Sequence, residues 1–285
     1  MGVLQPSAHA IDREYRAISA MYRAGLLAAR PILYSDDEDA VGTAFYLFEY
    51  IAARVFWCAE MPGAARAERE AVYDAVNACL ARLHCFDIAA PGLEDFGRPD
   101  DYVGRQLHRW STQYRAGRTA DPPDMDWLIE TLAARQPPQA RASAIHGDDG
   151  LHNIIIHPSR PEAVAVLDRE ISTLGDLFAD LAHHLMPYFL PPDRERHSVS
   201  TLAGRDLPAL GVPDEQTYVD RHCARAGFDG FADQSYYIAF AMFRYAAIIR
   251  GILKRVREGS AANKTVLHTP ERVALLARTA RRLLD

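Results

Sequence analysis

The chain has 285 residues, of which 49% are hydrophobic and 25% charged, and its net charge is −6. This is the balance of a folded globular protein with room for about two domains and a sizeable core. The acidic excess argues against a general nucleic-acid binder, which needs a basic surface to neutralise phosphates. Cys58, Cys79, Cys85 and Cys223 form neither a C-x-x-C pair nor a zinc-type spacing, so thiols in a reducing compartment are expected. The first ten residues lack the charged and apolar regions of a signal peptide, and no run of about 18 apolar residues occurs. A cytoplasmic protein without a membrane span is the expectation.

In chain order, Ile11, Tyr15, Ile18 and Tyr22 recur at helical spacing and predict a helix over Ser7–Arg23, stopped near Gly25. Pro31–Tyr34 and Phe45–Ile51 read as two short strands joined by a turn around Asp36–Gly42. Helices follow at Ala67–His84, Tyr102–Ala116 and Met125–Arg135, with breaks at Pro122-Pro123 and Pro137-Pro138. Short strands are predicted at Ser143–Ile145, Ile154–His157 and Ala163–Leu167. Beyond Gly175 the pattern is helical again, over Leu177–Met186, Glu215–Ala226, Ala232–Arg257 and Glu271–Leu284. The expectation is an α+β protein: a small first lobe over residues 1–52 and a large, mostly helical second lobe over 53–285.

The stretch IHGDDGLHNIIIHPSRPEAVAVLDREISTLGDLFAD, residues 145–180, carries the chemistry. Asp148 follows His146-Gly147, Asn153 stands five residues later, and Asp168 ends an apolar strand. Phosphoryl transfer needs these parts: a carboxylate beside the incoming hydroxyl, and oxygen ligands that hold Mg²⁺ on the phosphates. A hydrolase built on Asp148, Asp149 and Asp168 is the remote alternative.

H-G-D-x-x-x-x-N followed by L-D-x-E resembles the catalytic and metal loops of the aminoglycoside phosphotransferase and choline kinase superfamily, which has a protein-kinase-like two-lobe fold. PSAHAIDREYRAI, VLDREISTLGDLFADLAHH, LPPD and AFAMFRYAAIIRGILKRVREG extend the resemblance over nearly the whole chain, toward the phosphotransferase domains associated with acyl-CoA dehydrogenases. The resemblance implies ATP and Mg²⁺ as cofactors, Asp148 as the catalytic base, and Asn153 and Asp168 as metal ligands. It implies a hinge at Phe48–Ile51, where the backbone of Glu49, Tyr50 and Ile51 would meet adenine. Glu14 matches the helix glutamate that pairs with a strand lysine; His146, Asp176 and Asp180 match supporting positions. Taken singly, Asp176 reads as a helix N-cap, His146 as a loop-packing residue, and His183-His184 as packing or surface residues.

The sequence departs from that pattern at the front. No Gly-rich loop precedes the Glu14 helix, and the two lysines, Lys254 and Lys264, lie far away. The first lobe is therefore expected to be truncated, its remaining strands exposing apolar surface and unpaired backbone. A homo-oligomer or a partner covering that lobe is one expectation, and a weak or inactive kinase-like binding protein is the alternative function. Asp149 stands where an apolar residue is common. Arg169 replaces a common tryptophan and is placed to meet either Asp149 or a phosphate. The aromatic stripe from Tyr236 to Tyr245 reads as core. Arg244, Arg250, Lys254, Arg255 and Arg257 read as a solvated face that would also attract an anionic acceptor such as a hydroxyacyl-CoA. The expected partner is a small-molecule hydroxyl substrate, with no nucleic acid and no membrane.

Overall fold

The computed structural model describes residues 11–89, 96–116, 123–169, 172–191, 201–259 and 270–285. Ser7–Ala10 of the first predicted helix, Pro122, Glu170 of the L-D-x-E motif and Pro192 and Asp193 of the LPPD stretch lie outside the described residues.

The chain opens with α1 (Ile11–Arg23), then β1 (Pro31–Ser35), a single helical turn α2 (Glu38–Val41) and β2 (Phe45–Phe48). β1 and β2 pair antiparallel, as their aromatic and β-branched content predicts. The turn between them is more ordered than predicted: Asp37 caps the Asp39 N–H at 3.0 Å, and Gly42 ends α2 at φ +85°. Ile32, Leu33, Leu47 and Phe48 of this ribbon are exposed. The segment that follows is anchored where Arg54 and Ile156 exchange backbone hydrogen bonds of 2.8 and 2.9 Å.

Next come α3 (Arg66–His84), α4 (Tyr102–Ala116) and α5 (Pro123–Ala134), then β3 (Ala142–Ile145), a 3-10 turn over Leu151–Asn153, β4 (Ile154–Ile156), β5 (Ala163–Val166) and β6 (Thr173–Asp176). β3 pairs with β6 and β4 with β5, both antiparallel. β6 escapes the sequence pattern because Thr-Leu-Gly-Asp has little strand propensity of its own. It is extended because β3 supplies its ladder.

The rest is helical: α6 (Leu177–Phe189), the one-turn α7 (Leu207–Leu210), α8 (Glu215–Ala226), α9 (Gln234–Arg257) and α10 (Pro270–Leu284). Asp176 and Asp214 accept the Phe178 and Thr217 amides at 2.9 and 2.8 Å, capping α6 and α8. α9 is the axis of the core. Tyr237, Phe240 and Phe243 are among the largest fully buried side chains, and each stabilises the fold by about 2–3 kcal/mol in transfer terms. α9 has the length and apolarity to cross a membrane, yet 78% of its most apolar stretch is buried within the protein. The same helix corrects one expectation. Arg244 and Arg250 are buried on α9, the helix against which α4, α5, α6 and α10 pack.

Candidate active site

β3 ends at Ile145 and delivers His146, Gly147 and Asp148 into a loop that α6 grips from below. Asp180 of α6 accepts the His146 and Gly147 amides at 2.7 and 2.8 Å. Arg244 of α9 donates to the Gly147 carbonyl, and to the Tyr102 hydroxyl at 3.1 Å. Gly147 turns the chain at φ +86°, a conformation that a side chain resists. The loop is thus held through both its donors and its acceptors, and Asp148 projects from a fixed backbone.

Asn153 Nδ2 donates to the Asp148 carbonyl at 2.9 Å, so its Oδ1 faces away as a neutral oxygen donor. The Asn153 carbonyl accepts the Leu167 amide at 2.8 Å, and His146 Nε2 bonds the Leu167 carbonyl at 2.8 Å. These contacts tether Asp168, one residue on, to the same loop. Asp168 is exposed and sits at φ +55°, a left-handed conformation that Asp tolerates better than most residues. Asp148, Asn153 and Asp168 therefore share one locus. His146 spends both ring nitrogens on the loop, since Nδ1 accepts the Asp148 amide at 3.3 Å. It packs the loop, as read from the sequence.

Burial pushes the Asp148 carboxyl upward, but the hydrogen bond and charge of His183, with Arg244 and His152, override it and hold it well below the usual carboxylate range. Asp180 is likewise held low: burial opposes, and the His84 hydrogen bond and neighbouring imidazoles prevail. Asp176, beneath the loop, is raised by burial despite accepting from Tyr237 Oη at 2.7 Å. Behind Asp180, His84 Nε2 lies 3.2 Å from its carboxylate, and His84 Nδ1 lies 3.1 Å from Nε2 of His222.

Two residues read from the sequence as packing or surface side chains are buried, and they pack directly on the two carboxylates of the loop. His183 Nε2 lies 2.9 Å from Asp148 Oδ1, and His184 Nδ1 lies 2.7 Å from Asp149 Oδ2, with both rings buried. The signal was present: Asp180, His183 and His184 fall at i, i+3 and i+4, on one face of a helix that must touch the loop. Arg169 turns inward. Its guanidinium bonds Met21 Sδ at 3.1 Å and the Leu27 carbonyl at 3.3 Å. A cavity of about 10 Å³, room for one water at most, is lined by both Arg169 and Asp149. His184 is thus the partner of Asp149, and Arg169 acts on it only through space. At the mouth, the exposed Trp57 indole stacks on His152 with centroids 6.2 Å apart.

Glu14 is half-buried on α1 and has no ion-pair partner among the described residues. Of the residues expected to form a hinge, Glu49 already spends its amide on the Arg30 carbonyl at 2.9 Å, and its carboxylate accepts the Arg30 amide at 2.9 Å. Tyr50 and Ile51 have no backbone partner among the described residues. Among the described residues no cluster of three or more His, Cys, Asp or Glu side chains could hold a metal. One carboxylate and one amide oxygen suit Mg²⁺, which binds through one or two protein oxygens and takes the rest from water and phosphate.

The family model for the phosphotransferase enzyme family matches residues 4–212. Mouse acyl-CoA dehydrogenase family member 10 is 40% identical over 267 residues, covering 93% of this chain and 24% of that protein. Human acyl-CoA dehydrogenase family member 11 is 34% identical over 261 residues, covering 91% of this chain and 33% of that protein. The chain thus spans about a quarter to a third of these curated relatives. The crystal structure of a protein assigned as an aminoglycoside phosphotransferase, from Ralstonia eutropha JMP134, superposes with a TM-score of 0.89 at 37% identity, covering 98% of this chain and 84% of that one. A choline kinase from Streptococcus pneumoniae, at 11% identity and a TM-score of 0.61 over 96% of this chain and 79% of its own, shares the fold. The fold is the kinase-like α+β fold of these neighbours, and the chain belongs to the phosphotransferase enzyme family.

Proposed function

We propose that the chain is a small-molecule kinase that transfers the γ-phosphoryl group of Mg·ATP to a substrate hydroxyl. Asp148 is the base, Asn153 and Asp168 are the magnesium ligands, and the backbone at Glu49, Tyr50 and Ile51 meets adenine, with Tyr50 and Ile51 supplying the amides. The observation that carries this reading is the tethering of the Asp148, Asn153 and Asp168 loops through Asn153 and Leu167 at 2.9 and 2.8 Å. Phosphoryl transfer asks the protein mainly for positioning and for opposite charge. Bound Mg²⁺ would neutralise charge on the phosphates. An Asp148 carboxyl held well below its usual range stays ionised at neutral pH, so it accepts the hydroxyl hydrogen bond, orients that oxygen and takes its proton late. Asp180 and Arg244 keep the base still by holding the backbone on which it stands.

The acceptor we favour is a hydroxyacyl-CoA. The similarity to proteins named as acyl-CoA dehydrogenase family members supports it, as do Lys254, Arg255 and Arg257 in the last turn of α9. Arg244 and Arg250 are withdrawn from the anion-attracting set because they are buried. A second copy or a partner over the exposed β1–β2 ribbon, and operation in the cytoplasm, are part of the same reading.

Calorimetric titration with Mg·ATP tests the nucleotide site, with Asp168→Ala as the control expected to lose magnesium-dependent binding. Asp148→Ala is expected to keep binding and lower transfer by about 10²–10⁴-fold. Nucleotide binding that ignores Asp168, or turnover that ignores Asp148, overturns the assignment in favour of a kinase-like binding protein.

A further inference from the structure

We propose that His183 is a positioning residue for this transfer, fixing the plane of the Asp148 carboxylate so that one oxygen is left to the acceptor hydroxyl. The inference rests on the function proposed above. An ionised carboxylate can only accept, so in the 2.9 Å contact the proton sits on His183 Nε2 and the bond runs to Asp148 Oδ1. Oδ2 is then the oxygen that remains. The terminal torsion of an aspartate is broad and roughly two-fold, so without a partner the carboxylate samples many orientations. The Asp148 side chain is 41% exposed, which leaves packing alone too weak to restrain it.

The geometry around the ring shows why it can restrain Asp148. His183 is buried, and Tyr245 of α9 meets it edge-on, with centroids 6.4 Å apart at 89°. The ring lies on the face of α6 that holds the loop backbone through Asp180, three residues earlier, and Asp149 through His184, one residue later. One rigid helix face therefore sets the backbone, the base and its neighbour together. His183 touches no reacting atom. Its Nδ1 is buried without a partner, so the Asp148 bond is the ring's one polar contact among the described residues. Glutamine can place an amide N–H near the position of Nε2. Alanine removes the donor and opens a void.

The test compares His183→Ala and His183→Gln in the full chain. The readouts are magnesium-dependent ATP turnover with water as acceptor, KM for ATP, and the thermal midpoint. The expected result is a kcat about 10- to 100-fold lower in His183→Ala, with KM for ATP little changed and most of the loss restored in His183→Gln. An unchanged kcat in His183→Ala overturns the proposal. So does an equal loss in both variants that tracks their thermal midpoints, which marks a structural role. A wild-type chain without turnover would count against the proposed function, and a second readout then decides the pairing by itself. In ¹⁵N-histidine NMR, the His183 ring should show a protonated Nε2 whose signal moves in Asp148→Ala, and a signal indifferent to that change overturns the inference.

Discussion

Asp180 and His84 meet at 3.2 Å at a point where neither side chain is exposed to solvent. The same carboxylate accepts the His146 and Gly147 amides, so Asp180 satisfies three donors that would otherwise be buried without partners. Replacing it removes a charge-assisted network and leaves its partners unpaired. Asp180→Ala is expected to lower unfolding free energy by about 3–5 kcal/mol, read by urea denaturation. A loss below about 1 kcal/mol would show that the network is not what holds the loop.

The histidine behind that pair gives the fold a pH dependence. Burial, then the nearby His84 and His184, push the His222 imidazole down to about 2, against about 6.5 in an unfolded chain. Between those two values the unfolded state binds a proton that the folded state refuses, so stability falls as pH drops below about 6.5, by at most about 1.4 kcal/mol per unit. Above that pH the group is neutral in both states and adds no slope. Asp180 acts in a lower window: its folded pKa is depressed, so its contribution is complete above about 4 and is lost as pH falls further. His222→Gln should therefore flatten the decline in thermal midpoint between about pH 6.5 and 5, leaving the steeper loss below about pH 4 intact. An unaltered profile in the upper window would refute the assignment to His222.

Trp57 offers an optical report on the site. Its indole is 75% exposed and stacks on His152, the residue before Asn153, whereas Trp110 and Trp127 are partly buried against the core. Ligand that seats on Asn153 should disturb this stack. Mg·ATP is expected to change tryptophan emission, and Trp57→Phe should remove most of that change while leaving the calorimetric affinity nearly intact. An equal change in Trp57→Phe would place the responsive indole elsewhere.

The candidate site stood out in the sequence because the proposed phosphoryl transfer asks for particular residue types at particular spacings. Asp148, Asn153 and Asp168 were singled out by spacing and the structure tethers their loops together, while the apolar periods of α3, α4, α8 and α9 place their helices within a residue or two. β6 was not legible, since its four residues become a strand only when β3 lies beside them. α7 was missed because one helical turn carries no period. Arg244 and Arg250 looked solvated because charge usually is, and nothing local says that the tertiary packing of α9 will bury them. His183 and His184 are buried, in keeping with a packing role, but read singly they did not show their contacts with Asp148 and Asp149; only together with Asp180 do they mark the helix face that meets the loop.

The ribbon of β1 and β2 sets a limit on how uniform this molecule can be. Two strands with Ile32, Leu33, Leu47 and Phe48 exposed bury too little to be stable alone, whereas α6 and α9 as far as Gly251 are mostly buried. Amide protons of the ribbon should exchange through local opening within minutes, while those of α6 and α9 wait for global unfolding. The boundary between the two regimes falls where Arg54 exchanges hydrogen bonds with Ile156 and reaches the His157 carbonyl and Glu68. A motion of the ribbon can therefore proceed without loosening the helices that hold the Asp148 loop.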